Sequence, residues 1–177
     1  HPDYATRMLE IIEPVDDIFP LLDRFDLAYC HASERLCPKI QIESCPASFT
    51  EPNTGVFAYR RPDEVLRVFD DWKCRYLIHL ERAKVHDQPS FREALFYSSL
   101  NLYVLPPEYN TRTPFPVFKG GQMKTRILHG RNPSLALARR RINKRLGIRI
   151  YDFGKYERIR WKLKNLWHDA LRLASDT

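Results

Sequence analysis

The chain has 177 residues and a mass of 21.0 kDa, the size of one domain or one and a half. Its 44% hydrophobic and 12% aromatic residues supply a folded core, which excludes a disordered chain, and no apolar run approaches the roughly 18 residues of a transmembrane helix. The formal net charge is +7; residues 139–177 carry twelve basic and four acidic side chains, a net +8, so residues 1–138 sum to −1 and are nearly neutral.

The first half of the chain alternates between helical and strand-like patterns. Residues 2–10 favour a short helix or the end of one, and residues 15–25 favour a second helix that opens with acidic side chains. Residues 26–31 are typical of a short buried strand. A long Pro-containing loop follows at 32–52, and loops of this length in compact domains are often functional.

Later segments continue the alternation. The apolar run 55–59 predicts a central strand, and Pro62 begins a helix with its buried face at Val65, Val68, Phe69, Trp72 and Tyr76. Another helix begins at residues 87–89, with Phe91, Leu95 and Phe96 inward. Strands are predicted at 102–105 and 125–128, and together these elements predict an α/β fold.

The C-terminal part changes character after residue 131. Helices are predicted from residue 132, with an apolar stripe of Leu135, Ala138, Ile142 and Leu146, and again from about residue 155. Both carry basic side chains around an apolar stripe. We therefore divide the chain into a domain at 1–131 and a basic, amphipathic helical extension at 132–177.

The cysteines are Cys30, Cys37, Cys45 and Cys74. They form no CxxC pair, which argues against a zinc site, and four in a chain of this length are too few for a disulfide scaffold. This usage predicts a reducing, cytoplasmic setting.

Four short segments stand at predicted strand or helix edges, where α/β proteins place ligand sites. They read NTGV at 53–56, HDQP at 86–89, LPPEYN at 105–110 and ILHGR at 127–131. In this order, together with EPVDDIFPLLDRFDLA at 13–28, they resemble the C-terminal half of a GT-A-type nucleotide-diphospho-sugar transferase. The resemblance covers about residues 13–131 and implies a GT-A-like mixed sheet flanked by helices.

The resemblance also implies roles for individual residues. Asn53 and Gly55 would shape the sugar pocket, and Asp87 and Gln88 would contact the transferred sugar or the acceptor. His129, with Gly130 beside it, would help to bind Mn²⁺ or Mg²⁺ on the donor diphosphate. A divalent cation and nearby N–H groups stabilise the charge that develops on a leaving diphosphate.

Each of these residues also has a purely structural interpretation. Asp87 precedes a Gln-Pro helix start and could be an N-cap. Residues 53–55 could form a turn that feeds a strand, and His129 could be a hydrogen-bonded structural histidine. Gln88 has no strong local structural role, so it favours function.

The N-terminus departs from the family pattern. Members carry an Asp-x-Asp motif before the segment matching residues 12–14, and its carboxylates hold the metal. Here Thr6 and Met8 occupy those slots, or Ala5 the second one if the alignment starts at Asp3. We hypothesise that sequence is missing before residue 1 and near residue 10; the alternative is a degenerate homologue without metal-dependent activity.

The basic extension at 139–177 has three interpretations. Its apolar stripes could pack on the domain with the charges solvated, or its helices could lie on an anionic membrane surface as a peripheral anchor. Nucleic acid is the third partner considered, but no reading motif or aromatic platform accompanies the charge.

The sequence therefore predicts a glycosyltransferase that moves a sugar from a nucleotide-diphosphate-sugar donor to a glycan, lipid or protein acceptor. The rival hypothesis is a non-catalytic module, either a glycosyltransferase-like sugar binder or a basic adaptor for membranes or nucleic acid.

Overall fold

A computed structural model describes residues 8–32, 36–37, 42, 44–60, 62–83, 86–113, 116–119, 123–130, 134–144 and 149–152. The chain forms two compact units: a central unit, Pro14–Asn110, and a terminal unit built from His1–Glu13 and Thr111–Thr177. The boundary predicted at residue 131 stays a prediction, because most of the extension, including the segment from about residue 155 for which a helix is predicted, lies outside the described residues.

The strands are β1 (Met8–Ile11), β2 (Leu27–His31), β3 (Pro52–Tyr59), β4 (Leu102–Val104), β5 (Thr111–Arg112), β6 (Pro116–Lys119), β7 (Ile127–Gly130) and β8 (Arg149–Asp152). The α-helices are α1 (Pro62–Ile78), α2 (Leu80–Ala83), α3 (Gln88–Phe96) and α4 (Ser134–Arg141). Two 3₁₀ helices span Asp16–Asp23 and Pro107–Asn110. The mixed α/β class is thus confirmed, whereas the GT-A arrangement stays a prediction.

The central unit is built on β2, which lies between β3 and β4 in a three-stranded mixed sheet. β3 runs antiparallel to β2, and β4 runs parallel to it. The strand predicted at 55–59 is confirmed and begins earlier, at Pro52, but its predicted central position is wrong. β2 is central because it pairs with β3 on one side and with β4 on the other, and its residues Leu27–Cys30 are all buried, as a strand covered on both faces requires.

The two faces of β2 pack against different partners because side chains alternate along a strand. Leu27 and Tyr29 join a core cluster with Val65 of α1 and Phe91 of α3. Ala28 and Cys30 join a second cluster with Ile18, Leu105 and Tyr109. The sheet of the central unit is therefore covered on both sides.

The helix predicted from Pro62 is confirmed as α1, and Val65, Val68, Phe69 and Trp72 of its predicted apolar face pack on the sheet. Tyr76 packs instead against Ile42 and Cys45. The helix predicted at 87–89 is confirmed as α3, with Phe91 and Leu95 buried. The inward placement of Phe96 is wrong, since 36% of this residue is exposed. Phe96 stands one residue beyond Leu95, so it is turned about 100° away from the buried stripe.

The terminal unit contains a sheet in the order β1-β7-β5. The helix predicted at 2–10 is wrong for Met8–Glu10, which belong to β1 and pair antiparallel with β7; residues 1–7 lie outside the described residues. Pairing with a segment more than one hundred residues away overrides the weak local helical preference. The strand predicted at 125–128 lies two residues later, as β7.

Helix α4 packs its apolar stripe inside the terminal unit. Leu135, Ala138 and Ile142 are buried in a cluster with Leu128 of β7, as the stripe predicts, and Leu146 lies outside the described residues. The basic side chains at 139–141 are exposed, and Arg139 forms an ion pair with Glu10 at 2.9 Å. For α4 the contacts favour packing on the domain; membrane binding by residues 139–177 stays a prediction.

Asn143 follows α4 and has φ 65°, the left-handed region that Asn tolerates better than most residues. Its side-chain amide pairs with the backbone of Thr125: Oδ1 accepts from the N–H at 2.7 Å, and Nδ2 donates to the carbonyl at 2.8 Å. Nδ2 also donates to Glu13 Oε1 at 3.2 Å. Asn143 thus ties the end of α4 to the segment that enters β7.

Within the described ranges, no helix combines the length and the hydropathy that crossing a bilayer requires.

Candidate functional site

Two of the sequence segments singled out for function meet in the central unit. Thr54 lies on β3, and Asp87 stands immediately before α3. The Thr54 hydroxyl donates to Asp87 Oδ1 at 3.3 Å. The segments NTGV and HDQP, 33 residues apart in the chain, therefore share one location.

Asp87 occupies the N-cap position of α3, yet its carboxylate forms no capping hydrogen bond with the described N–H groups of the first turn. Its backbone carbonyl accepts from Phe91 N at 3.1 Å, as helix initiation requires, and from Trp72 Nε1 at 3.1 Å. The backbone of Asp87 thus begins the helix, while its carboxylate contacts Thr54. The capping interpretation accounts for the position of Asp87 but not for its side chain.

An aromatic cluster packs around Phe91, in the first turns of α3. The ring of Phe91 lies 4.5 Å from that of Trp72 and 5.9 Å from that of Phe57, centroid to centroid. Phe91 is fully buried. Since the same Trp72 donates to the Asp87 carbonyl, packing and hydrogen bonding hold Asp87 in one position relative to β3.

Asn53 is only 1% exposed and lies beside Thr54 on β3. Its Oδ1 accepts from the Gly55 N–H at 2.9 Å, a local bond of the kind that Asn forms in turns. The turn interpretation of residues 53–55 is nevertheless wrong, because all three belong to β3. Among the described residues its Nδ2 has no hydrogen-bond partner. A buried amide donor without a partner is costly and rare, which favours a role in binding.

Two further predicted site residues, Gly55 and Gln88, also belong to the central unit. Gly55 is half-buried and supplies the N–H that orients the Asn53 amide. Gln88 is the first residue of α3 and is half-buried. The central unit thus gathers Asn53, Gly55, Asp87 and Gln88 on β3 and at the start of α3.

His129 and Gly130 belong to the terminal unit, on β7. His129 is 4% exposed, and its carbonyl accepts from the Thr113 N–H at 2.8 Å. A Cβ at Gly130 would stand 1.8 Å from Thr113 Oγ1 and 2.9 Å from its carbonyl oxygen. The close approach of Thr113 therefore requires glycine at position 130. This packing reason is independent of the predicted contact between Gly130 and the sugar donor.

The Mn²⁺ or Mg²⁺ site that the resemblance implies is not assembled by the described residues. In those ranges, no group of three or more His, Cys, Asp or Glu side chains could hold a metal ion, so His129 is not part of such a group there. Metal binding by His129 stays a prediction.

The sequence reasoning did not single out Thr54 or Ser90. Thr54 stands between the two named positions of β3, in the stretch where the pairing of β3 with β2 is irregular. Ser90 is fully buried three residues after Asp87, on the same side of α3, and its Oγ has no partner among the described residues. A search for polar residues at i+3 from Asp87 could have found it.

A second polar cluster lies further along α3, around Glu93. One carboxylate oxygen accepts from Ser44 Oγ at 2.9 Å and pairs with Arg75 Nη1 at 3.1 Å, and the other contacts His79 Nε2 at 3.1 Å. Burial alone would raise the pKa of Glu93. Hydrogen bonds from His79 and Ser44, with the charge and hydrogen bond of Arg75, outweigh burial and hold that pKa below its ordinary value of 4.5.

Arg92, next to Glu93, fastens the loop that leads into β3. The side chain of this residue, only 4% exposed, donates through Nη2 to the carbonyls of Cys45 at 2.9 Å and Pro46 at 2.6 Å, and through Nε to that of Phe49. Three carbonyl acceptors compensate the buried guanidinium. Glu93 and Arg92 thus connect α3 to α1 and to the loop before β3.

No protein-family model, no curated protein and no solved structure matches the chain.

Proposed function

We propose that the chain carries the sugar-binding part of a glycosyltransferase that uses a nucleotide-diphosphate-sugar donor, with Asn53, Thr54, Asp87 and Gln88 around the sugar. The contact between Thr54 and Asp87 is the observation that carries the proposal. It brings two segments of the family-like pattern together at one place, and it leaves the carboxylate outside the capping role that would otherwise explain it.

The buried amide of Asn53 supports the same assignment. A sugar hydroxyl is both donor and acceptor, so it would satisfy the Nδ2 group that has no partner among the described residues. The hydrogen bond from Gly55 holds the amide plane in a fixed orientation. Preorganised polar groups of this kind recognise a substrate at low entropic cost.

Asp87 is the candidate general base if the reaction inverts the anomeric configuration. The acceptor hydroxyl oxygen then forms a bond to the anomeric carbon, its proton passes to the Asp87 carboxylate, and the bond between that carbon and the diphosphate oxygen breaks. The nucleoside diphosphate leaves with the electron pair of the broken bond. The Thr54 hydroxyl, which donates to Oδ1, would orient the carboxylate for this step.

Release of UDP or GDP from a panel of nucleotide sugars, with a mixed glycan and lipid acceptor library, tests the proposal. We expect release with at least one donor and a reduction of about 10²-fold or more in Asp87→Asn, which keeps the shape of the side chain. Asp70→Asn, an exposed carboxylate on α1, is the matched control and should behave as wild type.

Two outcomes would overturn parts of the proposal. Unchanged release in Asp87→Asn would remove Asp87 from the reaction. Saturable donor binding without release in the wild-type chain would favour the non-catalytic sugar-binding module instead.

A further inference from the structure

Two of the four thiols lie in one small cluster, in the loop before β3. Cys45 is 4% exposed and forms an apolar cluster with Ile42, against which the half-buried Cys37 packs. All four cysteines are free. Cys37 and Cys45 are thus separated by seven residues of chain yet belong to the same cluster.

The backbone is fastened at both cysteines. The N–H of Cys37 donates to Glu51 Oε1 at 2.8 Å, and Glu51 itself is buried. The carbonyl of Cys45 accepts from Arg92 Nη2 at 2.9 Å. Because both positions are anchored in the central unit, the two thiols are held in the same region rather than meeting by chance.

We propose that Cys37 and Cys45 form a dithiol site that exchanges with low-molecular-weight disulfides such as oxidised glutathione and closes an intramolecular disulfide. The Cys37 thiolate attacks one sulfur of glutathione disulfide, which releases one glutathione thiolate and leaves a mixed disulfide. The Cys45 thiol loses its proton to solvent and attacks the Cys37 sulfur, which releases the second glutathione. Two protein thiols are oxidised and one glutathione disulfide is reduced.

The order of attack follows from exposure. Cys37 is half-exposed, so an external disulfide can reach it. The pKa of the Cys45 thiol is raised, chiefly by burial. The nearby charge of Arg92 lowers this pKa and that of Glu93 raises it, and both effects are smaller than that of burial. Cys45 is therefore the poorer first nucleophile and suits the second, intramolecular step, in which high local concentration compensates a small thiolate fraction.

The remaining cysteines provide internal references. Cys30 is 2% exposed, and its thiol donates to the Pro106 carbonyl at 3.7 Å. Burial, with a smaller contribution from Glu108, raises its pKa to about 12. Cys74 is exposed on α1 and is not a member of the cluster. In the folded chain, neither Cys30 nor Cys74 should compete with Cys45 to form a disulfide with Cys37.

Trypsin resolves the possible linkages, because it cleaves after Arg35 and Lys39 and so separates Cys37 from both neighbouring cysteines. The native chain is incubated with oxidised glutathione, alkylated, digested without reduction and analysed by mass spectrometry. A 37–45 disulfide joins peptides 36–39 and 40–60, whereas a 30–37 disulfide joins peptides 25–35 and 36–39. The same reaction in guanidinium chloride gives the reference for an unfolded chain.

In the unfolded chain the loops of six and seven intervening residues close at similar entropic cost, so the two linkages should form in a ratio of about one. In the native chain we expect the 37–45 linkage to exceed the 30–37 linkage by roughly tenfold or more, since proximity raises the effective concentration of Cys45. Cys45→Ser should trap the Cys37–glutathione mixed disulfide, and Cys74→Ser should react as wild type.

An equal ratio in native and unfolded chains would overturn the proposal. Persistence of the glutathione adduct on Cys37 while Cys45 is intact would also overturn it. Should Cys45→Ser fail to fold, the comparison of the native and unfolded wild-type chains decides alone.

Discussion

The hydroxyl of Thr54 donates to the carboxylate of Asp87 at 3.3 Å and connects β3 to the beginning of α3. Both residues are half-buried. A carboxylate that is held by a neighbouring hydroxyl, rather than by its own helix, retains acceptor positions for a substrate. This geometry is the basis of the proposed sugar site.

Removing that hydroxyl tests whether the bond matters to the folded chain. Thr54→Val keeps the β-branched shape and deletes the donor, so we expect a loss of about 0.5–1.5 kcal/mol in unfolding free energy. Thr54→Ser retains the donor and should lose less. Urea denaturation of both variants, alone and combined with Asp87→Asn, measures the coupling; fully additive losses would mean that the two side chains do not interact.

The Glu93 cluster predicts a specific pH dependence of stability. Because the folded-state pKa of Glu93 is lowered, ionised Glu93 stabilises the folded chain above pH 4.5, and this contribution is lost as the pH falls through the folded-state pKa. Glu93→Gln should lower the unfolding free energy at neutral pH by about 1–3 kcal/mol, since His79 loses its charged partner and Arg75 is left with Asp71.

Unfolding curves measured at several pH values between neutrality and strong acid provide the test. The difference between wild type and Glu93→Gln should shrink below pH 4.5. Glu64→Gln, an exposed carboxylate in the first turn of α1, is the control and should show little of this effect. A difference that does not vary with pH would contradict the assigned role of Glu93.

Gly130 should tolerate no larger residue. In Gly130→Ala the new Cβ would overlap Thr113 Oγ1, so the strand or Thr113 must shift, at a cost of about 1–3 kcal/mol. Adding Thr113→Ala removes Oγ1 but leaves the carbonyl oxygen 2.9 Å away, so the double variant should recover part of the loss. Thermal unfolding of the single and double variants measures this, and a wild-type midpoint for Gly130→Ala would contradict the packing argument.

Asn143 combines a left-handed backbone with three side-chain hydrogen bonds, and two substitutions separate these contributions. Asn143→Gly relieves the backbone but loses the bonds to Thr125 and Glu13, whereas Asn143→Ala loses the bonds and keeps the strain. We expect both to destabilise the chain, with Ala worse than Gly by about 1 kcal/mol. Equal unfolding free energies for the two variants would show that the backbone conformation is not limiting.

The locally encoded parts of the fold were predictable from the sequence. Helices α1 and α3 show a strong apolar stripe and a proline at the helix start, and the apolar run of β2 identifies a buried strand. The predictions failed where distant segments decide the outcome. Met8–Glu10 form a strand because β7 pairs with them. β3 lies at the edge of its sheet because the central strand, β2, pairs with β3 on one side and with β4 on the other.

The contacts at the candidate site could not be predicted from the sequence. Short polar segments at element edges predict roles for Asn53 and Asp87, yet the contact between those segments is made by Thr54, which the sequence pattern does not distinguish from its neighbours. The burial of Ser90, whose Oγ has no hydrogen-bond partner among the described residues, and the anchoring of the loop by Arg92 depend on tertiary packing, which spacing along the chain does not encode. The metal site stays a prediction from the resemblance alone.

Calorimetric titration of the chain with UDP and GDP sugars, with Mn²⁺ and again with EDTA, tests the central claim most directly. We predict saturable binding of at least one nucleotide sugar to the wild-type chain. The affinity should fall by about tenfold or more in both Asn53→Ala and Asp87→Asn, since each substitution removes a polar contact to the sugar worth about 1.4 kcal/mol or more. Asp70→Asn should bind as wild type. No binding across the panel, or equal affinity in all four proteins, would contradict a sugar site at the start of α3.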